Sequence, residues 1–489
     1  MSAAKKRRSR KETLRPNLKL KLHKSLTYAK PQKDIVEKVV RVNRGQFKRK
    51  IWIGREDVVV TSRFSSTHNN NTPYEENERA LIVYALRKLL VKMCGKDTPP
   101  PLLTFERWIL DSVSKSTRKE NEDALLGALI REKINSRTTI VRDLVRASID
   151  LKRALNISRA VQSKARELLG KRNNKNSSSS NDTVLIKKHR HTSDIKFGKS
   201  SKRILKINHE HYNKLSDLWS LYNHDNNTDT KLFHEHLYMM LSRYHTIQGH
   251  GFQAACPEMV FDFFRKYLNV SFECFASPCN TYFGRYCSAF SDVDYNFGSS
   301  GSFWNWEPSS GGGSYQANPP FVSTVMRKMA QKIERILGER KDKPMSFVVI
   351  VPGWEDDEGY QIMSRSVHMR RRVLISKHDH GFVDGAQQQR RDRFRTSPFD
   401  TAVFVLQNEL GARKWPVTHD HNSNFETQLR VAFASGVPSE AVKKRRMRDG
   451  RGFGDEDGGG GVYRGKKKNR TGDGVMKRKK KERKRRRKN

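Results

Sequence analysis

Residues Ser314-Tyr315-Gln316-Ala317-Asn318-Pro319-Pro320-Phe321 form the stretch that decides the fold class predicted from this sequence. The first four residues form an alternating run that predicts a short strand, and the two prolines then turn the chain stiffly. Apolar residues spaced by three and four follow and predict an amphipathic helix; they are Val322, Val325, Met329, Ile333 and Ile336. A strand, a turn and a helix in this order are typical of an open α/β sheet, which builds its site beyond the carboxyl ends of its strands.

The turn itself, Asn318-Pro319-Pro320-Phe321, fits methyl transfer to an exocyclic amine. The N6 lone pair of adenine is delocalised into the ring, so the amine is a poor nucleophile until both of its hydrogens are accepted. The Asn318 carboxamide oxygen and the Pro319 carbonyl oxygen are candidate acceptors, because proline fixes the backbone direction and offers no competing N–H. Phe321 is a candidate to stack on the base. The alternative is a proline-stiffened turn around a core phenylalanine.

The net charge of the chain predicts a polyanionic partner. Its 489 residues carry 97 Lys and Arg against 52 Asp and Glu, a net charge of +45. Both ends are strongly basic, because residues 1–32 carry +10 and residues 441–489 carry +16. The remaining body is still near +19, which favours binding to nucleic acid. For the ends themselves we favour solvated charge or a nuclear import signal over specific recognition.

The five cysteines predict neither a disulfide framework nor a zinc site. Cys274, Cys279 and Cys287 lack the C-x-x-C spacing of zinc ligands, and we expect no metal. The sequence shows no signal-peptide pattern and no apolar run long enough to span a membrane. A reducing compartment is therefore expected, and the basic ends favour the nucleus.

A second predicted strand carries candidate residues for binding a methyl donor. Residues 270–275 form a strand-like run that contains Glu273 and ends at Phe275, and a turn of small residues that includes Ser277 and Pro278 follows. Such a turn lets the amino-acid part of S-adenosyl-L-methionine approach backbone N–H groups, while a carboxylate can pair with its ammonium group. The candidate cofactor-binding residues in this run are therefore Glu273, Phe275, Ser277 and Pro278.

Three later runs complete the predicted sheet. The continuous apolar run 346–352 predicts a buried parallel strand, and residues 373–375 and 401–406 predict two more strands. Before them, glycine-rich stretches flank Phe303, Trp304 and Trp306, which form either an aromatic cofactor lid or a plain surface loop. The pattern predicts an α/β fold, with a Rossmann-like class I methyltransferase domain preceded by an α-helical domain.

The chain order predicts these two domains between basic disordered tails. Thr72-Pro73-Tyr74-Glu75 is a capping box with proline at the first helical position, and it predicts a helix that ends at Gly95. The expected divisions are a tail over 1–50, the helical domain over 51–170, a linker over 171–200, the Rossmann-like domain with its leading helices over 201–420, and a second tail over 421–489.

Several motifs of the chain resemble those of the phosphorylated-CTD-interacting factor family. They are Phe272–Pro278, Tyr286–Phe290, Tyr315–Phe321, Ser346–Trp354 and Thr401–Asn408. The likeness covers roughly residues 203–417. The family consists of cap-specific adenosine N6-methyltransferases, which methylate N6 of a 2′-O-methyladenosine next to a 7-methylguanosine cap and use S-adenosyl-L-methionine. Its fold pairs a helical domain with a Rossmann-like catalytic domain.

The resemblance also implies site residues and partners. The four residues Asn318–Phe321 would hold the methyl donor and the target adenine. Trp354 and the following Glu355 would lie on the substrate side, and Ser323 stands where the family has a substrate-facing acid. The acidic run 355–358 replaces a stretch of the family that contains two prolines, and no WW-type pattern of Trp and Pro appears near the N-terminus. The implied partners are capped mRNA and the RNA polymerase II transcription machinery.

Three functions remain open from the sequence. The first is N6-methylation of the cap-adjacent 2′-O-methyladenosine of mRNA. The second is adenine N6-methylation of other RNA or of DNA, since the chemical motif does not specify the polymer. The third is a catalytically silent RNA-binding adaptor, against which the complete motif at 318–321 argues.

Overall fold

A computed structural model describes residues 71–115, 122–174, 182–223, 229–247, 252–385, 394–417 and 424–437. The predicted tail 1–50 and residues 438–489 of the second predicted tail lie outside these ranges. Within the ranges, no helix combines the length and the apolar composition needed to cross a membrane.

Five helices open the described part of the chain. They are α1 (Pro73–Cys94), α2 (Thr104–Lys115), α3 (Gly127–Arg131), α4 (Thr139–Arg146) and α5 (Leu151–Asn174). The capping box predicted for α1 is confirmed, because Thr72 Oγ1 accepts from the Glu75 N–H at 3.2 Å and the Glu75 carboxylate accepts from the Thr72 N–H at 3.0 Å. Gly95 ends the helix with a φ of 86°, a conformation that favours glycine.

A small antiparallel sheet follows in a region predicted to be a linker. Its strands are β1 (Val184–Lys188), β2 (Thr192–Phe197) and β3 (Leu205–Asn208), in the order β1-β2-β3. The linker prediction for 171–200 was therefore wrong over its described residues. The prediction failed because it followed the polar, lysine-containing composition of this stretch. Alternate residues of β2, Ile195 and Phe197, are nevertheless buried in the helical core.

Two more helices, α6 (His209–Tyr222) and α7 (Thr230–Thr246), pack against this small sheet. They share one continuous hydrophobic core with the earlier helices, which includes Leu86 of α1, Ile157 of α5, Leu218 of α6 and Met240 of α7. The helical layer thus extends to the end of α7. The domain boundary predicted near residue 200 therefore lies within one hydrophobic core and does not separate two cores.

The central element is a six-stranded mixed sheet. Its strands are β5 (Glu273–Ala276), β6 (Tyr286–Ser288), β7 (Gly313–Ala317), β8 (Met345–Pro352), β9 (Met369–Ile375) and β12 (Thr401–Gln407). They lie in the order β6-β5-β7-β8-β12-β9. The first four strands in this order run parallel, and β12 is antiparallel to both of its neighbours. The strands predicted at 314–317, 346–352, 373–375 and 401–406 are confirmed.

Helices cover both faces of this sheet. One face packs on α10 (Ser323–Glu339) and α11 (Glu358–Ser364), and the other packs on α8 (Glu258–Leu268) and α13 (Asn424–Ala434). Strand β8 shows why its sequence is apolar throughout: Phe347 and Val349 face the first pair of helices, while Val348 and Ile350 face the second pair. The helix predicted after Phe321 is confirmed as α10, whose predicted apolar residues are buried.

The remaining elements complete the edges. They are a three-stranded sheet of β4 (Ala254–Ala255), β10 (Gly381–Asp384) and β11 (Phe394–Thr396), and the short helices α9 (Ser291–Asp294) and α12 (Glu409–Lys414). Helix α13 lies inside the tail predicted over 421–489. That prediction was wrong for residues 424–437, because Leu429 and Phe433 are fully buried against the sheet.

Candidate functional site

The direction in which the chain crosses the central sheet reverses between β5 and β7. From β5 the chain moves outward to β6 and then returns to the other side of β5 to form β7. In open α/β sheets, ligands bind at such a reversal, beyond the carboxyl ends of the strands. A cleft opens there, with about 800 Å³ of empty space including its open mouth.

The cleft has walls from both halves of the fold. The segments that line it are the end of α2, the end of α7, residues 252–254, the turn after β5, the end of β6, residues 302–304 and the start of the Asn-Pro-Pro-Phe motif. Of the residues predicted from the sequence, the structure brings together Phe275, Ser277, Asn318 and Pro320. Glu273, Pro278, Pro319, Phe321, Ser323, Trp354 and Glu355 are not among its lining residues.

Asn318 follows β7, and its side-chain amide is held in one orientation. Its Nδ2 donates to the carbonyl oxygen of Ala254 at 2.9 Å. No hydrogen bond to its Oδ1 is present within the described ranges, so this oxygen is available as an acceptor for a ligand. Pro320 lines the cleft beside it, while Pro319 is buried.

Phe321 points away from this cleft into a second group of rings. Its ring centroid lies 6.0 Å from that of Phe399 and 6.4 Å from that of Phe382. Trp354, which follows β8, meets Phe399 edge-on at 5.2 Å. We name these four residues the aromatic cluster: Phe321, Trp354, Phe382 and Phe399. Phe321, Trp354 and Phe399 are all half-buried, so the cluster keeps exposed ring surface.

The other two residues predicted on the substrate side flank the cluster along the chain. Ser323 is the first residue of α10 and is half-buried. Glu355 is exposed just after Trp354. Asp357 in the same acidic run has a structural role, because its carboxylate caps α11 by accepting from the N–H groups of Gly359 and Tyr360.

Glu273 lies under the turn after β5 rather than in the cleft. Its Oε1 accepts from Thr281 Oγ1 at 2.7 Å and from the N–H groups of Tyr282 and Phe283 at 2.7 and 3.0 Å. Burial raises the pKa of this carboxyl to about 7, although these hydrogen bonds act in the opposite direction. The carboxylate thus holds the nine-residue connection 277–285, and Glu273 is not among the residues that line the cleft.

The turn after β5 is held by its own side chains. Asn280 Oδ1 accepts from the N–H of Ser277 at 2.6 Å and from its hydroxyl at 3.0 Å. The Ser277 N–H is therefore already paired within the turn. Pro278 is buried below the turn. What this turn presents to the cleft is the Ser277 hydroxyl and the Asn280 side chain.

Aromatic rings form one wall of the cleft. Phe275 lies 4.8 Å from Phe303 and 5.8 Å from Trp304, measured between ring centroids. Lys332 of α10 holds this segment, since its ammonium group donates to the carbonyl oxygens of Phe303 and Trp304 at 2.7 and 3.2 Å. Burial lowers the pKa of Lys332. Of the two readings left open, a cofactor lid and a surface loop, the structure places Phe303 and Trp304 on the cleft as an anchored wall.

Gln253 is a cleft residue that the sequence analysis missed. Only 4% of its surface is exposed, and its Nε2 has no hydrogen-bond partner within the described ranges. A buried amide donor without a partner is costly, and this one belongs to a residue that lines the cleft. A polar ligand atom would satisfy it. Nearby glycines in the sequence, Gly249 and Gly251, were the available signal for a functional loop.

A buried polar network supports the opposite wall. The Tyr244 hydroxyl of α7 donates to the carboxylate of Asp294, and Ser288 Oγ lies 2.7 Å from Ser299 Oγ. Tyr244 and Ser288 line the cleft. Burial raises the pKa of the fully buried Asp294 to about 8, so this carboxyl is mostly protonated at neutral pH.

A buried carboxylate of the helical layer contacts the first turn of α10, just after the motif. Asp111 of α2 has no exposed surface, and its Oδ1 accepts from Thr324 Oγ1 at 2.6 Å in the first turn of α10. Its Oδ2 accepts from Lys115 at 2.5 Å and also from the Thr139 hydroxyl. The N-cap residue of α10, Val322, supplies no side-chain cap. Asp111, from a distant part of the chain, places a negative charge near this helix N-terminus, where the helix dipole favours one.

The arrangement is suited to hold an amphipathic small molecule and to orient an amine. Apolar rings and hydroxyl and amide groups share the cleft, and Asn318 offers a fixed carboxamide oxygen at its end. Within the described ranges, no group of three or more His, Cys, Asp or Glu side chains is placed to hold a metal ion.

Comparison with known proteins identifies related sequences. Residues 214–385 match the family model described as "Phosphorylated CTD interacting factor 1 WW domain". A curated protein named mRNA (2′-O-methyladenosine-N(6)-)-methyltransferase from Homo sapiens is 34% identical over 230 residues, which cover 45% of this chain and 32% of that protein. Its counterpart of the same name from Mus musculus is 34% identical over 227 residues, which cover 44% of this chain and 31% of that protein.

The matched regions define how far the resemblance extends. The alignments span about a third of the length of the curated relatives. Although the family description mentions a WW domain, residues 214–385 form α7 and most of α6, and then β4 through β10 with their helices. The family resemblance predicted from the motifs is confirmed over this region.

Proposed function

Over residues 214–385 this chain resembles the phosphorylated-CTD-interacting factor family. We propose on this basis that it is a cap-specific mRNA adenosine N6-methyltransferase. Its substrate would be the 2′-O-methyladenosine next to the cap, as in the names of the human and mouse relatives. The observation that carries this proposal is the anchored amide of Asn318, which stands between the cleft and the aromatic cluster with a free acceptor oxygen.

The strand order supports a Rossmann-like class I methyltransferase domain. Helices cover both faces of the sheet, the crossing direction reverses between β5 and β7, and β12 enters antiparallel between two strands of the opposite direction. The cleft at the reversal would take the cofactor, because a reversal leaves the ends of two adjacent strands uncovered by a crossover.

The cleft chemistry fits S-adenosyl-L-methionine. When bound, this cofactor supplies an electrophilic methyl group on a cationic sulfur. The rings of Phe275, Phe303 and Trp304 would pack on its apolar parts, and Gln253 Nε2 would donate to one of its oxygens. Glu273 and Pro278, proposed from the sequence, would act only by supporting the turn that carries Ser277.

The motif would orient the acceptor amine. Asn318 Oδ1 and the Pro319 carbonyl oxygen would each accept one N6 hydrogen, which concentrates the lone pair on the nitrogen. Pro320 would close the cleft beside the reacting groups, and Phe321 would present its ring to the adenine from the side of the aromatic cluster. Since an asparagine is no base, the proton leaves the cationic amine for solvent after the methyl group has been transferred.

The remaining proposed contacts concern the cap and the partners. Trp354, supported by Phe399, would stack on the methylated guanine, with Ser323 and Glu355 at its margins. Capped mRNA is the proposed partner, and the RNA polymerase II machinery is a further one suggested by the family description. The basic ends of the chain favour a nuclear location.

Methyl transfer to matched oligomers tests the proposal. Purified protein would be given S-adenosyl-L-methionine and either capped RNA that begins with 2′-O-methyladenosine, the same RNA without a cap, or DNA of the same sequence. We expect N6,2′-O-dimethyladenosine from the capped RNA, identified by mass spectrometry of the nucleosides. Equal transfer to uncapped RNA or DNA would favour the broader adenine methyltransferase, and no transfer to any oligomer would favour the silent adaptor.

A further inference from the structure

The sheet β1-β2-β3 has an unusually basic outer surface. Residues 182–208 contain eight Lys and Arg against two Asp. The family model begins at residue 214, so this sheet lies before the matched region. Its charge therefore needs an explanation of its own.

Strand alternation separates the two faces of this sheet. Ile195 and Phe197 on β2 and Leu205 on β3 are buried in the helical core. Lys196 on β2 and Lys206 on β3 are next to these buried residues and point the opposite way, because successive side chains of a strand alternate. Register places Lys187 of β1 opposite Asp194 of β2, and Asp194 opposite Lys206 of β3.

Lysines dominate the outward face and its two ends. We name this surface the basic sheet: Lys187, Lys196 and Lys206 on the strands, Lys188 and Arg190 near the first turn, and Lys199 and Lys202 between β2 and β3. All are exposed except Lys196, which is half-exposed. Asp194 is the one carboxylate on the strands themselves, and Lys206 holds it at 2.8 Å. Most of the positive charge is thus left for an external partner.

The basic sheet connects to the cleft through one arginine. Arg203, just before β3, donates to Ser242 Oγ at 2.6 Å and to Thr246 Oγ1 at 3.1 Å, both on α7. Ile247 follows Thr246 directly and lines the cleft. The start of β3 is therefore fixed to the same helix end that forms a wall of the cleft.

We propose that the basic sheet binds the phosphate backbone of RNA beyond the nucleotide that is methylated. This proposal rests on the proposed function for the identity of the polyanion and for the position of the bound segment, whereas binding of RNA to this surface is tested independently. The outward strand positions carry no Phe, Tyr or Trp, so the surface lacks rings on which bases could stack. Binding should therefore depend on backbone charge and not on base sequence.

The test compares two triple variants of the full chain. Lys187→Gln, Lys196→Gln and Lys206→Gln remove the outward strand charges. The control variant carries Lys341→Gln, Lys343→Gln and Lys414→Gln, which remove three exposed charges near the opposite edge of the central sheet, where β8 begins and β12 ends. Binding of an uncapped 20-nucleotide RNA would be measured by fluorescence anisotropy across a salt series, so that no methyl transfer is needed.

We expect the basic-sheet variant to bind RNA about tenfold more weakly at 0.1 M salt. The slope of log affinity against log salt concentration should become shallower by about 2, because three fewer lysines take part in counterion release. Its KM for a capped 20-mer should rise, while its KM for a capped dinucleotide and its kcat should stay unchanged. Arginine at the same three positions should restore binding, which excludes a folding defect.

Two results would overturn the proposal. Equal losses in both triple variants would show that only total charge matters. Unchanged RNA binding together with weaker binding of an acidic phosphopeptide would assign the surface to a protein partner instead. If the basic sheet binds RNA but no oligomer is methylated, the proposed function fails while this inference stands.

Discussion

Two ring-lined regions lie at the carboxyl edge of the central sheet, and they differ in what surrounds the rings. In the cleft between β5 and β7, Phe275 and Trp304 share the walls with polar groups such as Gln253 and Ser277. In the aromatic cluster, Phe321 and Trp354 both contact the same third ring, Phe399. The first region can hold a molecule with charged ends, whereas the second offers flat apolar surface.

The Asn-Pro-Pro-Phe motif joins the two regions. Asn318 and Pro320 belong to the cleft, and Phe321 belongs to the cluster. The two prolines between them limit the conformations of the connection, because their φ angles are fixed. The motif therefore separates two regions: Asn318 and Pro320 line the cleft proposed for the methyl donor, and Phe321 belongs to the aromatic cluster proposed for the acceptor base.

The largest expected effect is at the motif itself. Asn318→Ala removes an acceptor whose hydrogen bond to the amine strengthens as the methyl group is transferred, and turnover should fall about 100- to 1000-fold. Affinity for S-adenosyl-L-methionine, measured by calorimetry, should change much less. A variant with near wild-type turnover would show that the amide only anchors Ala254.

A smaller effect is expected at Gln253, and it concerns the donor side only. Gln253→Leu removes a donor that lacks a partner among the described residues, so the cofactor Kd should rise about 10- to 100-fold if this donor bonds a charged group of the cofactor. The matched control is Gln162→Leu, because Gln162 is also buried but already donates to the Leu129 and Glu132 carbonyl oxygens. That control should lower Tm and leave the Kd unchanged. The reverse pattern would contradict the cleft assignment.

On the acceptor side, Phe399→Ala should raise the KM for RNA about tenfold, since both Phe321 and Trp354 lose a supporting ring. The KM should rise for both RNAs, because Phe321 is proposed to contact the adenine of either, and the rise should be somewhat larger for capped RNA, because Trp354 also loses its support. Trp354→Ala should instead raise the KM for capped RNA far more than for uncapped RNA, because only the capped RNA carries a cationic guanine. Steady-state kinetics with capped and uncapped RNA measures these changes in KM for both variants. If the two variants changed both KM values alike, Trp354 would have no separate role in binding the cap.

The smallest effect concerns stability and pH. Burial raises the pKa of Asp294 to about 8 and that of Glu273 to about 7. Between the ordinary carboxyl pKa near 4 and these values, the folded protein holds protons that the unfolded chain has released, so stability falls as pH rises. Tm should therefore decrease from pH 6 to pH 8.5.

Asp294→Asn tests this linkage directly. The amide oxygen still accepts from the Tyr244 hydroxyl, but it no longer titrates. The decrease in Tm should become shallower and should not vanish, because Glu273 still titrates in the same window. An unchanged pH profile would show that Asp294 is not protonated in the folded protein.

Several elements were predictable from the sequence because their signals are local. The alternating run before Asn318 and the spaced apolar residues after Phe321 identified β7 and α10, and the capping box at Thr72 identified the start of α1. Elements with mixed signals were missed. Strands β1 to β3 lie within a lysine-rich stretch, and α13 was assigned to the tail although Phe433 is buried.

The site residues show the same division. Residue chemistry identified Asn318 as a candidate acceptor and Phe275 and Ser277 as cofactor candidates, and all three line the cleft. The sequence could not reveal that Glu273 is engaged by residues 281–283, or that the Gln253 donor has no partner in the part of the chain that the structure describes. Which atoms meet depends on how the turn after β5 closes.

The sequence by itself determined the strand–turn–helix unit around residues 314–339 and the chemistry of its turn, because these depend on contiguous residues and on the fixed φ of proline. Only the tertiary structure decided that Ala254, 64 positions away, orients the Asn318 amide. It also decided that Asp111 accepts from the Thr324 hydroxyl in the first turn of α10 and that Phe321 faces Phe399 rather than the cleft. These contacts join segments far apart in the chain, so they follow from the packing of α2, β4 and β12 around the motif and not from any local pattern.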